Sequence, residues 1–134
     1  MNELEEGTAL QLNYEKLLSI AAGDAHVVPV VLQDADSHEV LFIAYANRLA
    51  VEETLKTRRA VLWSTSRQEL WRKGETSGDV LDLLDVRINC EQNSLLYIVK
   101  RRTGACCHTR DTDGNHRGSC YYRTLTSPAA LAFV

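Results

Sequence analysis

The chain has 134 residues, 45% of them hydrophobic and 25% charged, which is one domain's length at globular composition and excludes a disordered polymer. No apolar stretch approaches the ~20 residues that span a bilayer, and the acidic start Met1-Asn2-Glu3-Leu4-Glu5-Glu6 is unlike a signal peptide. The net charge of −3 hides an asymmetry: residues 1–55 carry two basic and ten acidic side chains (−8), residues 56–134 thirteen basic and eight acidic (+5).

The chain therefore reads as a cytoplasmic protein of one domain, 1–134, with residues 1–25 as a helical N-terminal extension. Four cysteines in a reducing compartment favour ligand or catalytic roles over disulfides. The basic half suits a small anionic ligand, or is simply a solvated face; it is not basic enough for a nucleic-acid polymer. In chain order, Asn13 predicts a cap for a helix over Tyr14–Ala22, with Leu17, Leu18 and Ala21 on one face and Gly23 as its stop. Val27–Gln33 is β-branched and reads as a strand, with Pro29 at a sheet edge or at the strand's start. Turn residues 34–38 precede a second strand, Glu39–Tyr45, its hairpin partner. Asn47 caps a second helix, Arg48 to about Thr57, with Leu49, Val51 and Leu55 towards the core.

Ala60–Trp63 is a short strand that leads into the polar run Trp63–Gly78, whose end Gly74 and Gly78 bracket as a loop. Asp79–Asn89 and Leu95–Arg101 read as long strands joined through Glu91–Ser94, which puts Cys90 at a strand end. Residues 103–118 form a polar loop carrying Cys106, Cys107 and His108, and Cys120 opens a last strand, Ser119–Arg123. The order of elements gives an α+β class: an antiparallel-rich twisted sheet with two short helices.

Chemistry concentrates in two places. A catalytic zinc takes three protein ligands and keeps one position for water, and thiolates suit it. Cys90, Cys107 and Cys120 supply such a set, although their separations of 17 and 13 residues are not those of a zinc finger and each cysteine can equally be buried core. Cys106 and Cys107, if extended, point to opposite sides, so one ligates while the other packs. His108, beside Cys107, either acts as a base on a metal-activated water or is a surface or hydrogen-bonded loop histidine. His26, His38 and His116 read as surface or hydrogen-bonded loop histidines. In the polar run, Arg67, Arg72 and Lys73 can neutralise phosphate and Ser64, Ser66, Thr76 and Ser77 can donate to it, but the order of a Walker A loop is absent, and the run's many hydroxyls and charges read on their own as a solvated loop. Together these residues suggest a zinc hydrolase acting on a phosphorylated small molecule.

Residues 27–123 closely resemble the phosphoribosyl-AMP cyclohydrolase family of histidine biosynthesis. The resemblance rests on P-V-V-L-Q-D-A-D at 29–36, V-L-F-I-A-Y-A-N at 40–47, W-S-T-S-R-Q-E-L-W-R-K-G-E-T-S-G at 63–78, C-H-T at 107–109 and Ser119-Cys120-Tyr121. It implies a hydrolase that opens the adenine ring of phosphoribosyl-AMP between N1 and C6, giving an aminoimidazole carboxamide nucleotide. It also implies an intertwined homodimer whose zinc is shared, by Cys90 from one chain with Cys107 and Cys120 from the other, and a role for His108 in assisting the water. Substrate binding falls to the polar run, including Ser64, Ser66, Arg67, Trp71, Lys73, Glu75, Thr76 and Ser77. The length leaves no room for the pyrophosphohydrolase domain fused to some members.

Two departures stand out. The family's three magnesium aspartates correspond to Asn89, Glu91 and Asn93, a set with one carboxylate, so magnesium binding should be weakened or lost. About six extra residues, Asp111–His116, separate Cys107 from Cys120; Asp111 or Asp113 replaces some of the missing charge, or the insert is an exposed turn. Two alternatives stay open: a paralogue hydrolysing another purine nucleotide, and a non-catalytic protein that binds zinc or a nucleotide. A fourth protein ligand such as Cys106 would favour the second.

Overall fold

Strand β1 (Val28–Asp34) alternates buried Val30, Leu32 and Asp34 with more exposed neighbours, the period-two signature of a strand laid on a core. The computed structural model describes residues 2–23 and 26–134. β1 turns back through an Asp34-anchored bend into β2 (Val40–Ala46), its antiparallel partner. Strands β5 (Leu81–Ile88) and β6 (Leu95–Arg101) form a second antiparallel hairpin, and β6 pairs with β1 in parallel. The sheet order is β2-β1-β6-β5. The mixed α+β class with mostly antiparallel pairing is as expected.

Pro29 lies near the start of an interior strand, not at a sheet edge. The parallel ladder with β6 begins at Val30↔Leu95, so the missing proline N–H falls just before it.

Helix α3 runs Arg48–Thr57, with the Asn47 side chain accepting from Ala50 N at 2.9 Å. Its buried residues are Ala50 and Thr54, while Leu49 and Leu55 are about half exposed at 48% and 50%. The expected core face is thus wrong except for Val51, which packs partly against the core. A polar contact sets the face instead: Thr54 Oγ1 donates to Val61 O and accepts from Val61 N, both at 2.9 Å, locking the helix to strand β3 (Val61–Ser64).

The polar run is not a loop throughout. It forms a hairpin, β3 with β4 (Glu69–Arg72), followed by the glycine-bracketed turn. The hydroxyls that argued for a loop are its turn caps: Ser64 Oγ accepts from Arg67 N at 3.2 Å and meets Ser66 Oγ at 3.4 Å. The N-terminal extension is helical in two pieces, α1 (Glu3–Glu6) and α2 (Lys16–Ala22). α2 starts two residues later than expected because the Asn13 side chain accepts from Glu15 N, closing a turn before the helix. It buries none of its residues, Leu17 and Leu18 included. Asp24 and Ala25 of the expected extension lie outside the described residues. Ser119–Arg123 is not a strand, since Ser119 and Cys120 bond to β2 as a loop; a C-terminal hairpin, β7 (Arg123–Ser127) with β8 (Ala130–Phe133), follows instead. The N-terminus bridges it at Ala9↔Ala130.

Gly74 and Gly78 both sit at positive φ, +81° and +86°. A Cβ at Gly74 would overlap the backbone of Asp79 and Val80, whereas one at Gly78 meets nothing. Gly74→Ala should therefore cost about 3 kcal/mol and Gly78→Ala only about 1 kcal/mol in urea unfolding. Equal costs at the two glycines would contradict this packing of the turn.

Candidate active site

The loop that follows β6 is folded back on the sheet by a small number of polar contacts. Arg101, at the end of β6, donates Nη1 to Gly118 O at 2.8 Å and to Glu39 at 2.9 Å, and Nε to Asp34 at 3.3 Å. Cys120 N then donates to Leu41 O at 2.8 Å and Ser119 Oγ to Val40 O at 3.0 Å, which seats Cys120 beside β2. Cys106 N and Cys107 N both donate to Arg117 O, at 3.0 and 2.8 Å. Two neighbouring amides aimed at one carbonyl cannot belong to an extended segment. The expectation that the two thiols diverge therefore fails, and both meet Cys120.

Cys106 and Cys107 are buried, at 2% and 4% exposure. The three thiols are close enough that each shifts the titration of its neighbours. The neighbouring Cys120 thiol, reinforced by burial, pushes the Cys107 pKa far up. Cys120, beside Cys106, is pushed up to about 11, while Cys106, beside Cys120, is lowered. Thr109 Oγ1 lies 3.0 Å from Cys107 Sγ. A cation bound here would have to displace thiol protons, so its affinity would rise with pH.

These thiols open onto a cavity of about 420 Å³ that also takes in Arg67, Trp71, Lys73, Glu75, Thr76 and Ser77 of the polar run. Ser64 and Ser66 do not line it; they cap the β3–β4 turn. Trp71 reaches it packed on Phe42, ring centroids 5.8 Å apart. Lys73 is buried, its Nζ donating to Asp79 O at 3.1 Å, so it sits below the cavity as a fixed positive charge. His108 stands at the rim with Nε2 2.7 Å from Glu5 of α1.

Cys90 is elsewhere. It is exposed in the β5–β6 turn, next to the pair Ile88↔Leu95, while the cysteine loop is tied to Arg101 at the other end of the same seven-residue strand. At ~3.3 Å per residue the two ends are ~20 Å apart. Among the described residues, no group of three His, Cys, Asp or Glu side chains is arranged to hold a metal ion.

The Asn89–Asn93 run does not fit magnesium. Asn89 Oδ1 accepts from Asn93 N and Ser94 N at 3.0 and 2.9 Å, and its Nδ2 donates to Asn93 Oδ1 at 2.6 Å. Asn93 Nδ2 in turn holds Glu91 Oε2 at 3.2 Å. The amides close a turn, leaving a single carboxylate where magnesium favours several oxygens in octahedral order. The insert behaves similarly. Asp111 Oδ1 accepts from Asp113 N and Asn115 N at 2.9 and 3.0 Å, so its carboxylate caps an exposed turn.

Two residues that no sequence motif singles out also line the cavity: Asp79 and His116. His116 Nδ1 lies 2.6 Å from Asp79 Oδ2, and Thr103 Oγ1 donates to Asp79 Oδ1 at 2.7 Å. Burial opposes ionisation of Asp79, but the bonds from Thr103 and His116 with the charges of His116 and Lys73 outweigh it, holding the carboxyl below its usual range. The partners stand 37 residues apart, so no local spacing could have joined them.

Residues 42–122 match the family model described as Phosphoribosyl-AMP cyclohydrolase. The Phosphoribosyl-AMP cyclohydrolase of Bordetella petrii is 40% identical over 116 residues, covering 87% of this chain and 82% of the relative. That of Archaeoglobus fulgidus is 48% identical over 99 residues, or 74% and 85% of the two chains. The Histidine biosynthesis bifunctional protein HisIE of Thermus thermophilus is 44% identical over 109 residues, which span 81% of this chain and 48% of that protein.

The Asp34–Arg101 pair that seats the loop carries a pH signature. Backbone donation from Ser37 leads the causes that hold the Asp34 carboxyl below its ordinary 3.8, with Arg101 contributing. A depressed carboxylate stabilises the fold above its unfolded pKa, and that contribution is lost as pH falls through the folded value. Asp34→Asn should cost about 2 kcal/mol at pH 7, and its deficit against wild type should shrink as pH drops below about 4. A deficit unchanged by acid in denaturant titrations would contradict this role.

Proposed function

The chain belongs to the phosphoribosyl-AMP cyclohydrolase family, and on that premise we propose that it is the zinc-dependent enzyme opening the adenine ring of phosphoribosyl-AMP in histidine biosynthesis. The observation that carries this reading is the meeting, in one cavity, of the 63–78 run with the Cys107–His108 loop and Cys120. A scaffold has no reason to aim both at the same space.

The donor set fits zinc: soft thiols at Cys107 and Cys120, held in mutual contact with no hard-oxygen cage around them. Cys90 of a second subunit would complete the three ligands, because the length of β6 keeps a chain's own Cys90 away from its own loop. Bound there, zinc would supply Lewis acidity and a water acidic enough to act near neutral pH. The protein's residues do the rest. His108 at the rim would take the attacking water's proton, and Trp71 and Phe42 would offer apolar surface to the purine. Arg67 and the hydroxyls of Thr76 and Ser77 face the substrate's phosphate and ribose, with buried Lys73 adding positive field. The protein acts in this proposal as a cytoplasmic homodimer on a small purine nucleotide, with no nucleic-acid polymer and no membrane as partner. Among the described residues no helix is long and apolar enough to cross a bilayer.

Magnesium has no place in the mechanism, since the Asn89–Asn93 turn does not fit it. Purified protein supplied with zinc should convert phosphoribosyl-AMP to the ring-opened nucleotide, followed by ultraviolet absorbance. Added magnesium should change the rate less than twofold, and a zinc chelator should abolish it. No turnover by zinc-loaded protein would overturn the proposal.

A further inference from the structure

The insert that sets this chain apart brings a histidine into the cavity. His116 ends the Asp111–His116 excursion, pairs across it with Arg110, and lines the same space as the polar run and His108. Its side chain is 21% exposed and that of Asp79 only 7%. Asp79 holds Nδ1 at 2.6 Å and is itself fixed by Thr103 at 2.7 Å and by the turn that Gly74 permits. Nε2 has no protein partner among the described residues. A carboxylate that orients one nitrogen of a cavity-lining imidazole and leaves the other without a protein partner is the arrangement used to present an acid–base group. A loop anchor would serve as well with asparagine and would not need a buried carboxylate.

We propose that His116 is a second acid–base residue of the cavity, delivering through Nε2 the proton that the ring nitrogen requires as the adenine opens, with Asp79 as its positioning residue. The inference rests on the cyclohydrolase reading and extends it. Hydrolysis joins the water oxygen to C6, and the electron pair of the C6–N1 bond leaves with N1. Of the two water protons, one ends on N1 and the other on the exocyclic nitrogen, so the product keeps every atom of substrate and water. One residue suffices to take the first proton from water. A second, on another side of the ring, is needed to protonate the departing nitrogen before its charge builds up. His108 sits at the rim beside Cys107, and His116 approaches from the Asp79 side, so the two have distinct stations. The charged groups facing His116 are Asp79, Lys73 behind it, and Arg110 across the bridge.

The test measures kcat, KM, zinc content and melting temperature for wild type, His116→Gln and Asp79→Asn. His116→Gln should lower kcat about 100-fold with KM, zinc and melting little changed, because the lost interaction exists only in the transition state. Asp79→Asn, which keeps the volume and the Thr103 contact, should lower kcat in the same direction and decides the matter should His116→Gln fail to fold. Wild-type kcat in either folded variant, or a change confined to KM or melting, would overturn the role. Active wild type with an unaffected variant refutes the inference alone; inactive zinc-loaded wild type refutes the cyclohydrolase reading and the inference with it.

Discussion

The Arg101 guanidinium, only 16% exposed, bonds to Asp34 at the end of β1, to Glu39 before β2 and to the Gly118 carbonyl ahead of Cys120. Those groups lie 62 to 67 residues upstream and 17 downstream. Cys120 reaches β2, and with it the two adjacent cysteines, because this cation gathers acceptors that no local turn could unite. A buried guanidinium is held only when its donors are used, and here two carboxylates and a carbonyl use them. The site depends on this anchor more than on any apolar contact in the loop, which contributes few buried side chains beyond Cys106 and Cys107.

From that anchor follows the separation of the cysteines. Arg101 fixes the cysteine loop at one end of β6, and the β5–β6 turn fixes Cys90 at the other. Strand geometry then forbids their meeting within one chain, whatever the side-chain rotamers. The neighbouring thiols of Cys107, Cys120 and Cys106 are soft donors, but among the described residues they do not form a completed metal site. The proposed partnership of two subunits brings Cys90 of one chain to Cys107 and Cys120 of the other, with Cys106 left as their buried neighbour. The Asn89–Asn93 run has meanwhile become a self-satisfied turn, its amides spent on Ser94 and on each other.

Much of the fold was legible in the sequence. Alternation in β1, the Asn47 cap and the glycine pair each act within a few residues, so local chemistry declared them. The errors share a cause. Leu49 and Leu55 looked like core because they are apolar, yet Thr54 won the buried position through hydrogen bonds to Val61 that no hydropathy pattern encodes. The polar run looked like a loop because its hydroxyls were counted as solvent-facing, when Ser64 and Ser66 close a hairpin turn. The site was legible where it repeats a family pattern, as at Cys107, His108 and Gly74. It was illegible where two distant residues meet. Asp79 and His116 are unremarkable in their own neighbourhoods and acquire meaning only when the chain brings the two side chains together.

The central claim is that each cavity is completed by Cys90 of a second subunit, and mixing variants tests it most directly. Cys90→Ser and Cys107→Ser homodimers should each be inactive. Refolded together, they should regain about a quarter of wild-type turnover, since half of the random dimers carry one site with all three cysteines. Activity that stays absent in the mixture, while mixed dimers are present, would contradict the shared site.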